Sequence, residues 1–211
     1  MSNFVLIWSG INPQPFLEEI EQFHDVWKMS QSRQKKLAVQ RESQSFPLRG
    51  LVSSKIAGRK RRHVHESRYT ARAASFPLAI AFVEDFARTI GADPGRIRLV
   101  NLQPGNKVYP HVDRGEYYAI RDRYHLILST GPDGSLLKSG DEENRMHAGE
   151  LWWFDNNQPH EAFNDSDSNR IHLIFDLLPR SKRELLEGDP LQLKPGKILD
   201  QVVARDSWTS A

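Results

Sequence analysis

Two periodicities divide the chain. Phe16, Ile20, Phe23 and Trp27 fall at i, i+4, i+7 and i+11, the stripe of an amphipathic helix, and the stripe begins just after Pro13 and Pro15, as a helix start should. A second helix is predicted from Ser75, as its cap, and Pro77, in its first turn. Ala79, Phe82, Val83, Phe86 and Ile90 make its apolar face, and Gly91 is its stop. Between the two lie a polar run, SQSRQKKLAVQRESQS, a short strand around Phe46 to Val52, and a basic segment, SSKIAGRKRRHVHESRYTARAA, read as a loop or short helix edge. After ADPG, read as a turn, the pattern changes to short alternating strands broken by Gly, Pro, Asn and Asp: RIRLVNLQ, VYPHVD, RYHLILST, GELWWFDN, EAFN and RIHLIFDLL. Strands at this spacing predict a small antiparallel sandwich or barrel. A short helix is expected at Ser181 to Glu187. The expected organisation is one domain, 1–211, with a helical part carrying a strand (1–95), a β core (96–179) and a C-terminal extension (180–211).

Composition narrows the classes. The chain has 211 residues, 38% of them hydrophobic and 27% charged, with a mean hydropathy of −0.59. That suits a soluble globular domain. No apolar run approaches the ~20 residues of a membrane span, and MSNFVLIWSGINPQPF has neither the basic start nor the cleavage site of a signal peptide. No membrane partner and a cytoplasmic location are therefore expected. The net charge of +2 favours no class of partner. The run GRKRR (58–62) is read as a solvated loop; it lacks the interleaved aromatics of single-strand binders, so nucleic acid is not an expected partner. There is no cysteine, which excludes disulfides, thiolate nucleophiles and zinc–thiolate sites.

Histidines carry the candidate chemistry. His63 and His65 have same-face strand spacing but sit among arginines, which repel a cation. His24 and His147 read as surface residues. His111 and Asp113, two apart on a predicted strand, point the same way and can grip one cation. With eight histidines, roughly one His-x-Asp/Glu pair arises by chance, so a third ligand is needed. His160, in NNQPHEAFN, is that candidate. Two histidines and a carboxylate form the facial triad of non-haem Fe(II) oxygenases; zinc uses the same set in hydrolases. Two strands also carry polar rows: Arg123 and His125 opposite Tyr124, Leu126 and Leu128; Arg170, His172 and Asp176 opposite Ile171, Leu173, Phe175 and Leu177. If the apolar rows face the core, the polar rows are solvated; if the polar rows line a cavity, they place cationic groups beside a metal. Trp152 and Trp153 read as core packing.

The blocks YPHVD, RYHLIL, GELWWFDNNQPHEAFN and NRIHLIFD, over about Asn101 to Pro179, together resemble the aspartyl/asparaginyl beta-hydroxylase family of Fe(II)- and 2-oxoglutarate-dependent dioxygenases. The resemblance implies a mainly β fold with N-terminal helices, a double-stranded β-helix (cupin-like jelly roll). It implies Fe(II) on His111, Asp113 and His160, with Asp113 at a position where some members lack a carboxylate. It assigns Arg170 to the distal carboxylate of 2-oxoglutarate, and Arg123 and His125 to further contact with that cosubstrate. QSFPLRGLV resembles a substrate-side strand. O2 is the co-reactant, and the expected partner is an Asp or Asn of a peptide or protein, hydroxylated at its β-carbon, or a free amino acid such as proline. Arg49, Arg114 and Tyr117 are the candidates for holding it. A cupin-like binding module without turnover and a zinc hydrolase are the alternatives; the hydrolase leaves Arg123 and Arg170 without a role.

Overall fold

The computed structural model describes residues 2–23, 25–27, 38–52 and 58–186; His24 and the chain beyond 186 lie outside the described residues. Among the described residues, eleven strands form two antiparallel sheets. The larger has the order β1-β9-β6-β11-β4-β2-β3 and the smaller β5-β10-β7-β8. In chain order these are β1 (Phe4–Trp8), β2 (Ser43–Leu51), β3 (Ser67–Tyr69), β4 (Ala92–Leu102), β5 (Lys107–His111), β6 (Asp122–Ser129), β7 (Ser135–Ser139), β8 (Glu142–Met146), β9 (Leu151–Phe154), β10 (His160–Phe163) and β11 (Arg170–Pro179). Helices α1 (Gln14–Gln22) and α2 (Pro77–Thr89) precede the core strands, and a single turn of helix, α3 (Glu116–Ala119), follows β5. The two facing sheets make a double-stranded β-helix. Among the described residues no helix is long and apolar enough to cross a membrane.

Both faces of the central strands are covered, which answers the question posed by their two rows. Tyr124, Leu126 and Leu128 of β6 and Leu173, Phe175 and Leu177 of β11 pack against α1 and α2, with Phe82 and Phe86 set edge-on to Phe175 and Phe86 edge-on to Tyr124. The polar row is buried too, turned toward the smaller sheet: Arg123, His125, Arg170, His172 and Asp176 are each at most 7% exposed. A second, smaller apolar cluster, with Leu102, Ile127, Leu137, Met146, Phe154 and Ala162, fills part of the space between the sheets. The polar side chains line the remainder.

Several local expectations are corrected. The part before residue 96 carries β1, β2 and β3 as well as helices, so the larger sheet is completed by chain read mainly as helical. The segment ADPG is the start of β4, with Pro94 paired to Leu177 and Asp93 to Leu178; the turn is one residue earlier, at Gly91, whose φ of 64° suits glycine. Ser75 does not cap α2. It ends the 3-10 turn Ala71–Ser75, Phe76 takes the cap position, and the orphan N–H groups of Leu78 and Ala79 donate instead to the Glu19 carboxylate, at 2.5 and 3.2 Å. The basic segment is ordered around 59–69 by Glu116, which accepts from Arg59 and lies beside His63 and His65. Of the C-terminal helix, a 3-10 stretch Arg180–Leu186 is described.

Candidate metal centre and anion cavity

His111 ends β5 and His160 begins β10, and the two are register partners with ring centroids 4.2 Å apart. Asp113 is not on the strand: β5 stops at His111, and Asp113 sits in the following loop, its N–H donating to the Asn156 carbonyl at 3.2 Å. That loop is pinned one turn later by Gly115, whose φ of 113° and close approach to the Arg62 backbone leave no room for a side chain. One ligand atom from each of His111, Asp113 and His160 lies within 4.8 Å of the others. The His111 Nδ1 is 2.8 Å from the Tyr109 carbonyl and the His160 Nδ1 2.9 Å from the Gln158 carbonyl. A carbonyl only accepts, so both rings carry their proton on Nδ1 and keep the Nε2 lone pair for a cation.

Burial lowers the His160 pKa to about 4, which keeps the ring neutral. Burial alone would raise the Asp113 carboxyl, but Arg123, His160 and His111 hold it down at about 2. Arg123 is the main cause. It donates to Asp113 Oδ2, and its Nε and one terminal nitrogen reach the two Asp176 oxygens at 2.8 and 3.2 Å. Asp176 and Arg123 are cross-strand partners on β11 and β6. Asn156 Nδ2 also donates to Asp113 Oδ2, at 3.1 Å. The expectation that Arg123 reaches a cosubstrate thus meets a guanidinium already engaged by two carboxylates.

Arg170 is the opposite case. It is 2% exposed, it lines the same cavity, and its buried Nε and one terminal nitrogen have no hydrogen-bond partner among the described residues. Burial with no anion opposite lowers its pKa to about 9. His125 lines the cavity beside it. So does Arg98 of β4, 9% exposed, with no hydrogen-bond or ion-pair partner among the described residues. Sequence reasoning passed over Arg98. The signal was present, since Arg98 shares a strand face with Val100 and Leu102, both buried. The cavity wall does not include Arg49, Arg114 or Tyr117. Arg49 stacks on Tyr69 and donates to the Pro94 carbonyl at 3.2 Å, in a separate groove. Arg114 is exposed. Tyr117 is fully buried between Arg96 and Arg121, its hydroxyl accepting from the Arg96 N–H at 2.7 Å. Trp153 packs in the main core and donates to Asp122 at 3.0 Å; its neighbour Phe154 faces the cavity instead.

A family model described as aspartyl/asparaginyl beta-hydroxylase matches residues 14–179. The chain belongs to that family. Iron(II) and 2-oxoglutarate are the cofactor and cosubstrate that go with it. The site fits both: two imidazoles and a carboxylate leave positions open for other ligands, and an orphaned buried guanidinium suits a carboxylate. The chain is 30% identical over 114 residues to the mouse (Mus musculus) aspartyl/asparaginyl beta-hydroxylase, a match covering 52% of this chain and 15% of that protein. It is 33% identical over 79 residues to the L-proline cis-4-hydroxylase of Rhizobium meliloti (strain 1021), covering 37% of this chain and 28% of that one. Among solved structures, a Trichoplax adhaerens prolyl hydroxylase in complex with a hypoxia inducible factor peptide fragment shares the fold, with a TM-score of 0.54, 12% identity and coverage of 88% of this chain and 87% of that one.

Proposed function

We propose that this chain is an iron(II)- and 2-oxoglutarate-dependent hydroxylase acting on an amino-acid side chain, the β-carbon of Asp or Asn in a peptide or protein. The observation that carries the reading is Arg170, a buried cation with no counter-ion among the described residues, on the wall that also holds His111 and His160 of the triad. An unpaired buried charge costs several kcal/mol, roughly, and is retained where a ligand completes it. A guanidinium matches a carboxylate through two parallel hydrogen bonds, so the distal carboxylate of 2-oxoglutarate is its natural partner.

His111, Asp113 and His160 would hold the iron. When bound, iron, 2-oxoglutarate and O2 supply hydroxylation of a C–H bond with release of succinate and carbon dioxide. The protein supplies position and charge. The Tyr109 and Gln158 carbonyls fix the tautomer of each histidine ligand. Arg123, itself clamped by Asp176, keeps the Asp113 carboxylate ionised and oriented. Phe154 and Leu137 give part of the cavity an apolar wall, which limits water at the reacting centre.

Arg98 supports a second reading of the substrate. Its guanidinium suits the side-chain carboxylate of Asp, and equally the α-carboxylate of a free amino acid, and the similarity to a proline hydroxylase belongs with the latter. The test is succinate formation with iron(II), offering an Asp-containing peptide blocked at both ends, its Asn counterpart, and free Asp and proline. Turnover of a blocked Asp or Asn peptide and of no free amino acid supports the first reading, and turnover of free amino acids alone supports the second. Iron and 2-oxoglutarate binding with no succinate from any substrate would mark a binding module. Succinate formation that survives His160→Ala would overturn the iron assignment.

A further inference from the structure

Behind His125 runs a buried chain of polar contacts that crosses from one sheet to the other. Ser135, at the start of β7, lies 3.1 Å from His172 Nε2, and His172 Nδ1 lies 3.3 Å from His125 Nδ1. All three residues are at most 5% exposed, and His172 is completely enclosed. We propose that Ser135 and His172 fix His125 as the tautomer protonated on Nε2, so that His125 offers the cavity a hydrogen-bond donor and not an acceptor. This rests on the reading of the cavity as a carboxylate site only for its purpose; the tautomer itself follows from the contacts.

Among the described residues, His172 Nε2 is the one hydrogen-bond partner of the Ser135 hydroxyl oxygen. If His172 carried its proton on Nε2, that proton would point at the oxygen and the hydroxyl hydrogen would be buried with nothing to accept it, an expensive arrangement. The hydroxyl therefore donates, and Nε2 of His172 is bare. Both imidazoles are neutral: burial first, and then the Arg170 charge, push each pKa well below the usual histidine value. A neutral ring has one proton. His172 must carry it on Nδ1, where it donates to Nδ1 of His125. That leaves His125 its own proton on Nε2, which has no protein partner among the described residues. His125 thus adds a donor to those of Arg170 and Arg98 on the same cavity, and a carboxylate oxygen only accepts. Ser135 and His172 are thus positioning residues, acting on a ligand through His125.

The experiment is 15N NMR of the histidine side chains in the metal-free 211-residue chain, followed by titration of 2-oxoglutarate into the manganese-loaded protein under argon. The expected spectrum has His125 protonated on Nε2 and His172 on Nδ1. Ser135→Ala should mix the two tautomers at both rings and weaken 2-oxoglutarate on the order of twofold to tenfold, by the fraction of chains left in the competent form, with manganese affinity unchanged. A wild-type His125 protonated on Nδ1, or a Ser135→Ala protein with unaltered tautomers, overturns the proposal. The predicted wild-type tautomers with no 2-oxoglutarate binding at all would uphold it and reject the cosubstrate reading instead.

Discussion

His111 and His160 stand opposite each other on neighbouring antiparallel strands, and each gives its Nδ1 proton to the carbonyl two residues before it. The two ligands are therefore aimed by the same local device. Local backbone fixes each ring, strand β5 at Tyr109 and the bend before β10 at Gln158, and neither relies on another side chain for its tautomer.

Loss of either ring should remove the metal without removing the fold, because both lie in the smaller sheet away from the main apolar core. His160→Ala is expected to weaken iron(II) binding by more than about 100-fold, and Asn156→Ala, which strips a hydrogen bond from Asp113, by about 10- to 100-fold. Calorimetric titration of the metal-free proteins with iron(II) or manganese(II), alongside circular dichroism, measures both.

Arg123 should be the least replaceable of the cavity arginines. Arg123→Met leaves Asp113 and Asp176 buried without their counter-charge and is expected to destabilise by about 3–5 kcal/mol. Lysine, with one point charge in place of a fork, should restore only part of this. Urea denaturation of the metal-free variants reads the difference.

Arg170→Met should do the reverse. Removing an unpaired buried cation is expected to stabilise the ligand-free protein, by about 1–4 kcal/mol, while weakening 2-oxoglutarate by about 2–5 kcal/mol. Thermal denaturation with and without 2-oxoglutarate separates the two: a higher midpoint alone, and a smaller rise on adding the cosubstrate. A ligand-free Arg170→Met protein less stable than wild type would contradict the account of Arg170 as an uncompensated charge.

The Asp113 carboxyl adds a pH dependence of known sign. Its pKa is about 2 in the folded chain and near the ordinary carboxylate value of 3.8 when unfolded. Its contribution, about 2 kcal/mol, is therefore complete above pH 4 and lost as pH falls toward 2. The stability gap between metal-free wild type and Asp113→Asn should be widest near pH 5 and shrink below pH 4 in urea titrations.

How much of this was legible beforehand varies with how local the information is. His111, Asp113 and His160 could be found from residue type and order, and the polar rows of β6 and β11 from alternation. The partners of Arg123 could not, because Asp176 meets it only through the register of two strands more than fifty residues apart. Ser135 escaped notice for a different reason. The buried positions of β7 are Ser135, Leu137 and Ser139, so the strand has one apolar residue facing in and no hydrophobic alternation to read. β8, with charged residues on its open side, has even less. β1 did carry a signal, the apolar run FVLIW ahead of GINPQP, whose length suits a strand.

His111 belongs to the four-stranded sheet with His160, and Asp113 to the loop after β5, whereas Arg170 and His125 belong to the seven-stranded sheet. A dicarboxylate reaching from one to the other would act as a tie-bar between the layers. When it leaves, the Asp113–Arg123 and Ser135–His172 contacts remain to hold that gap closed. The sandwich is then expected to breathe most between turnovers, and amide exchange along β5 and β10 should slow when the cavity fills.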